Sequence, residues 1–130
     1  RDVIAIVGDG GFQMNIQELG TIMQSNIGVK IVLLNNSFLG MVRQWQELFF
    51  NRKYAFTELD NPDFQKIAKA YRIPCNRVTK HSELEKAVQK MIKAKGSYLL
   101  EVAVLEEENV FPMIPAGCTL NDIIYDKPNK

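Results

Sequence analysis

Val3-Ile4-Ala5-Ile6-Val7-Gly8-Asp9-Gly10-Gly11 opens the chain with a continuous apolar, β-branched run that breaks abruptly into glycines around one carboxylate. Such a run predicts a strand covered on both faces rather than one alternating between core and water. Downstream, Phe12, Ile16, Leu19 and Met23 recur at helical spacing, which predicts one helix ending near Asn26-Ile27-Gly28, with Met14 and Met23 as core fillers. A second buried strand follows over residues 30–34 and ends in Asn35-Asn36-Ser37. After it, Met41, Trp45, Leu48 and Phe49 again mark a helical face. Asn61 as N-cap and Pro62 as first helical residue start a third helix spaced by Phe64, Ile67, Ala68 and Tyr71. Residues 76–79 read as a short strand. Ser82 and Glu85 form a capping box for a fourth helix with Leu84, Ala87, Val88, Met91 and Ile92 as its stripe, Lys86, Lys90 and Lys93 towards water, and Gly96 at its close. The last strand covers residues 98–104. Strands separated by helices of this length require crossovers, so the fold class is α/β, a doubly wound, mainly parallel sheet with helices on both faces.

The bulk properties narrow the partners. The 130 residues fit one domain, and 46% hydrophobic with 24% charged residues is an ordinary globular balance. Sixteen Lys and Arg against fifteen Asp and Glu leave a net charge of +1, so no global field recruits nucleic acid or a membrane surface. No apolar run reaches the roughly 18 residues of a membrane helix. Cys75 and Cys118 lie far apart without metal-ligand spacing and read as free thiols. His81 is the sole histidine and reads as a solvated loop residue. The start at Arg1-Asp2, directly before a buried strand, reads as a cut, so a piece of a longer chain is expected. Residues 1–130 form one domain in this reading, with 106–130 as an irregular tail whose apolar, proline-punctuated part, 110–117, packs against something.

In open α/β sheets, ligands bind at the carboxyl ends of strands, where helix N-termini turn N–H groups outward. Two loops occupy such ends. In the first, Gly8-Asp9-Gly10-Gly11, glycines let the backbone approach a phosphate and Asp9 stands at the strand tip. In the second, Asn35-Asn36-Ser37-Phe38-Leu39-Gly40, an amide oxygen stands at the next tip. Mg2+ takes about six oxygens at about 2.0–2.1 Å, only one or two of them from protein carboxylates when phosphates share the ion. A carboxylate, an amide and a carbonyl suit a metal–diphosphate, since the amide adds an oxygen without adding charge. Taken singly, the loops have plainer readings: the Asp as a helix cap and Asn-Asn-Ser as turn chemistry. The dinucleotide fingerprint fails because Gln13 stands where its third glycine belongs, and no Gly-Lys-Ser/Thr forms a P-loop.

Gly8-Asp9-Gly10, a gap of about two dozen residues, then Asn35-Asn36 resembles the thiamine-diphosphate motif of decarboxylases and carboligases. Asn36-Ser37-Phe38-Leu39-Gly40-Met41-Val42-Arg43-Gln44-Trp45-Gln46, with Asn61-Pro62-Asp63-Phe64 and Val110-Phe111-Pro112-Met113-Ile114-Pro115-Ala116-Gly117, narrows the resemblance to the acetolactate synthase (acetohydroxyacid synthase) catalytic subunits. It spans nearly the whole chain and corresponds to that family's C-terminal, diphosphate-binding domain. The resemblance implies that Asp9, Asn36 and the carbonyl of Phe38 hold Mg2+. Gly10 and Gly11, with Ser37, Leu39, Gly40 and Met41 of the second loop, would cradle thiamine diphosphate. Met41, Trp45 and Phe49 would line the substrate channel, and the tail around Ala116-Gly117 would fold over its entrance. Without the resemblance, a stripe such as Met41, Trp45 and Phe49 reads as core.

The implied reaction decarboxylates pyruvate and condenses the hydroxyethyl unit with a second 2-keto acid, feeding branched-chain amino acid synthesis. The family's activating glutamate comes from another domain, so no catalytic residue is expected here and the isolated 130 residues are expected to be inactive. FAD would belong to the full-length parent. A homo-oligomer, dimer or tetramer, with a small regulatory subunit and a cytoplasmic location completes the expectation, with no nucleic acid and no membrane. Two alternatives stay open: a sister thiamine-diphosphate 2-keto-acid decarboxylase, oxidase or carboligase, and a non-catalytic α/β binding module.

Overall fold

Four parallel strands, β1 (Val3–Gly8), β2 (Val29–Asn35), β3 (Cys75–Val78) and β4 (Tyr98–Ala103), lie side by side in the order β1-β2-β4-β3. A computed structural model describes residues 2–126; Arg1, at the expected cut, and the end of the expected tail, 127–130, lie outside the described residues. The helices are α1 (Asp9–Met14), α2 (Glu18–Gln24), α3 (Gly40–Phe49), α4 (Phe64–Ala70) and α5 (His81–Lys93). Alternation along β2 and β4 sends successive side chains to opposite faces. Ile31, Leu33 and Leu99 pack with Phe12, Leu19, Phe64, Ala68 and Ile73 under α1, α2 and α4, where the Phe12 and Phe64 rings meet edge to face at 5.5 Å. Tyr98 and Leu100 pack with Val78, Ala87 and Met91 under α5. The expected α/β sheet with helices on both faces is therefore present.

Several local expectations are corrected. β1 is an edge strand with only β2 beside it, and Val3, Ile4 and Ile6 are exposed, so its apolar run is not covered among the described residues. The single helix expected through Met23 is two: α1 ends at Met14 and α2 restarts at Glu18. That break turns Met14 and Met23 into solvent, the former 70% exposed, so neither fills the core. The cap of α4 is Asp63, whose carboxylate accepts from Lys66 N at 3.0 Å, and not Asn61. α5 already begins at His81, which puts Ser82 inside the helix and leaves no capping box with Glu85; His81 is exposed but helical. Of its stripe, Ala87 and Met91 are buried and Ile92 is exposed. The last two strands stop one residue short of expectation, and β3 starts one residue early.

Residues 104–126 are mostly irregular, with one bridge between Met113 and Ile124 and a 3-10 turn at Leu120–Asp122. This tail does pack on a partner, and the partner is α3. Buried Gln44 accepts from Val110 N (2.7 Å) and donates to Val110 O (3.0 Å), which clamps the tail backbone to the helix.

Candidate functional site

β1 and β2 are neighbours in parallel register, so their carboxyl ends, Gly8 and Leu34-Asn35, lie at one edge of the sheet. α1 starts directly at Asp9, which makes Asp9-Gly10-Gly11 a first helical turn rather than a free loop. Gly10 faces the second loop so closely that a Cβ there would stand 2.7 Å from Leu39 Cδ2 and 3.3 Å from Leu59 Cδ1. A side chain at this position would require the Leu39 and Leu59 side chains to shift.

The second loop is shaped by its own amides. Asn35 Oδ1 accepts from Ser37 N (3.1 Å) and Asn36 Oδ1 from Phe38 N (3.1 Å), the Asx-turn bonding that carries Ser37 at φ +57°. Backbone bonds Leu39 N to Thr57 O (2.8 Å) and Leu59 N to Ser37 O (2.7 Å) pin it from outside.

Asp9 is 1% exposed, and its hydrogen bonds fall on Oδ2, from Ser37 N (2.8 Å) and Asn61 Nδ2 (2.6 Å). The Asn61 amide reaches Asn35 Oδ1 as well (3.0 Å), while its own Oδ1 accepts from Gln13 Nε2 (2.7 Å). Behind Asn35, the buried carboxylate of Glu101 accepts from Asn35 Nδ2 (2.9 Å) and Gln65 Nε2 (3.2 Å) and pairs with Arg77 Nε at 3.4 Å.

These elements surround an open cleft of about 660 Å3, walled by Asp9, Gly10 and Gly11 on one side, by Asn36, Phe38, Leu39, Gly40 and Met41 on another, and by Val104, Leu105, Glu108 and Val110 of the tail. Every expected cofactor-binding residue except Ser37 lines it; Ser37 sits behind the wall with its N–H on Asp9. The channel residues divide. Met41 lines the cleft, whereas Trp45 and Phe49, rings 5.1 Å apart, line a separate hollow of about 540 Å3, and Val42 borders both.

Chemically the cleft offers hard oxygens: the carboxylates of Asp9 and, from the tail, Glu108, the amides of Asn36 and Gln44, and backbone carbonyls. Among the described residues no group of three or more His, Cys, Asp and Glu could hold a metal. An oxygen-ligated Mg2+ sharing its shell with phosphate fits the oxygen donors present. The α3 N-terminus, without a side-chain cap at Leu39, opens its first turn, Gly40 to Val42, onto the same cleft and leaves N–H donors for an anion. Glu108, from the tail, is the glutamate that lines this cleft.

Residues 1–102 match the family described as thiamine pyrophosphate enzyme, C-terminal TPP binding domain. The chain belongs to that family. It is 46% identical over 94% of its length to the acetolactate synthase isozyme 2 large subunit of Escherichia coli (strain K12), and 48% identical over 95% to the chloroplastic acetolactate synthase 2 of Zea mays. It spans 22% and 21% of those relatives, about a fifth of each. Among solved structures it resembles the benzoylformate decarboxylase of Polynucleobacter necessarius with a TM-score of 0.76 at 28% identity, covering 84% of this chain and 20% of that one.

Asn61, Glu101, Gln13 and Gln44 are the polar residues of this region that sequence reading missed. Two signals were present. Asp63 stands directly before Phe64 and caps the helix, which releases Asn61 for other work; Glu101 is the lone charge within an apolar strand, and such a charge needs a buried partner.

Proposed function

We propose that the chain is the C-terminal, diphosphate- and Mg2+-binding domain of an acetolactate synthase catalytic subunit. The carrying observation is the meeting of Asp9 and Asn36, from neighbouring strand tips, in one cleft, with Gly10 leaving room for the Leu39 side chain of the second loop. The 46–48% identity to acetolactate synthases, against 28% to a benzoylformate decarboxylase, favours this member over its decarboxylase sisters.

In this reading Asp9, Asn36 and the Phe38 carbonyl hold Mg2+. Gly10, Gly11 and the loop from Ser37 to Met41 bind the diphosphate, with N–H groups of the α3 first turn adding neutral donors. Bound thiamine diphosphate supplies the electron sink for decarboxylating a 2-keto acid. This chain's residues bind and orient: the tail held by Gln44 walls off water, and Met41, Trp45 and Phe49 present an apolar surface to pyruvate and a second 2-keto acid. An activating glutamate is supplied from a domain other than this one. FAD, a homo-oligomeric parent of two or four subunits, a small regulatory subunit, a cytoplasmic location and a place in branched-chain amino acid synthesis complete the proposal.

The test uses the full-length protein with thiamine diphosphate, Mg2+, FAD and pyruvate, the product being identified by mass. Acetolactate is expected, and Asp9→Ala is expected to weaken metal-dependent cofactor binding by more than about 100-fold, beyond the usual loss from an outer-sphere partner. Acetaldehyde as sole product would move the chain to a sister decarboxylase. Full cofactor affinity in Asp9→Ala would remove the metal assignment.

A further inference from the structure

We propose that Asn61 is a positioning residue of the cation site, occupying one oxygen of Asp9 so that the other is presented to the ion. The proposal rests on the reading of Asp9 as a cation ligand. An amide can face either way, and its partners decide. Asp9 is an acceptor, so the Asn61 Nδ2 must face it at 2.6 Å, and the second Nδ2 hydrogen then meets Asn35 Oδ1 at 3.0 Å. The opposite end is fixed as well, because Asn61 Oδ1 accepts from Gln13 Nε2 at 2.7 Å. Asn35 is oriented by the same logic, since its Nδ2 points at the buried Glu101 carboxylate, itself tied to Gln65 and Arg77.

Two acceptor-only carboxylates, Asp9 and Glu101, thus bracket a pair of amides whose orientation has no freedom left. Asn61 is the link through which α1, by way of Gln13, and β4, by way of Glu101 and Asn35, both act on Asp9 Oδ2. With Ser37 N also on Oδ2, Asp9 Oδ1 carries no hydrogen bond among the described residues and is free to meet a cation. Carboxylates that ligate metals depend on such outer partners for orientation, and losing one typically weakens metal binding about 10–100-fold.

The experiment titrates Mn2+ into the full-length protein at saturating thiamine diphosphate, with free ion followed by electron paramagnetic resonance and the melting temperature of each ligand-free variant measured alongside. Asn61→Ala is expected to weaken Mn2+ about 10–100-fold with little change in melting temperature. Gln13→Ala, which removes the outer hold on Asn61 and does not line the cleft, is expected to weaken it by a smaller factor, about three- to tenfold. Mn2+ affinity within about twofold of wild type in a folded Asn61→Ala overturns the proposal. If Asn61→Ala fails to fold, Gln13→Ala decides by the same threshold. Asp9→Ala separates the two readings: affinity kept there sinks the cation site itself and this role with it, whereas affinity lost there but kept in Asn61→Ala sinks the positioning role alone.

Discussion

α3 and α5 are both amphipathic, and they bury opposite sides. α5 lays Ala87 and Met91 against Val78, Tyr98 and Leu100 and leaves its lysines in water. α3 buries Arg43, Gln44 and Glu47 beneath the following loop and the tail, and turns Met41, Val42 and Phe49 outward. Its polar side is partnered. Arg43 lies over the Phe38 ring at 5.3 Å and the Tyr54 ring at 4.8 Å and pairs with Glu47, which Arg52 and Asn109 also reach. Periodicity reports that a helix has two sides; the surrounding chain decides which side is inside. The apolar side of α3 therefore faces outward beside the cleft, whereas that of α5 is core.

The largest effect expected from this contrast comes from truncating one methionine on each helix. Met91→Ala is expected to cost about 2–5 kcal/mol, the usual price of emptying a buried site, whereas Met41→Ala stays within about 0.5 kcal/mol. Urea unfolding of the two variants measures both. Equal losses would mean that the outward face of α3 is as much a core face as that of α5, and the contrast would collapse.

An intermediate effect is expected where the buried side of α3 meets the tail. Gln44→Ala removes both bonds to the Val110 backbone and the contact of Gln44 Nε2 with Met113 Sδ at 3.0 Å. The loss is about 1–3 kcal/mol, and amide exchange of Val110 accelerates because its N–H has no other partner here. Exchange at Val110 as slow as in wild type would show that the tail is held by something other than Gln44.

The same contrast explains what the sequence made legible. Strand runs 30–34 and 98–104, largely buried between local elements, could be read almost to the residue, and the second loop at its strand tip could be read as well, because Asn-Asn turn chemistry acts locally; the first loop is instead the opening turn of α1. The apolar run of β1 announced a buried strand, but burial needs a cover, and none lies within the described residues. The core assignment of Met14 and Met23 failed at the break between α1 and α2, which no single strong breaker such as proline marks. Asn61 and Glu101 escaped notice because their partners, Asp9 and Asn35, lie 52 and 66 residues away in sequence. Side-chain networks of that range leave no periodic trace; only the orphaned cap and the lone charge in a strand point to them.

The smallest effect concerns how the helices begin. α3 and α5 start without a side-chain cap, whereas α4 has Asp63 on Lys66 N. That backbone bond, with Lys66's positive charge, holds the Asp63 carboxyl below its ordinary value of 3.8. A carboxyl lowered on folding stabilises the folded state when ionised, so its contribution is complete above the unfolded value and fades as pH falls through the lowered one. Asp63→Ala should therefore melt below wild type by a constant margin above about pH 5, and the margin should shrink as the solution is acidified. Thermal unfolding of both proteins across that range provides the check. A margin that persists at the acid end would show that Asp63 acts through packing rather than through its charge, and α4 would then begin like α3 and α5, without an electrostatic cap.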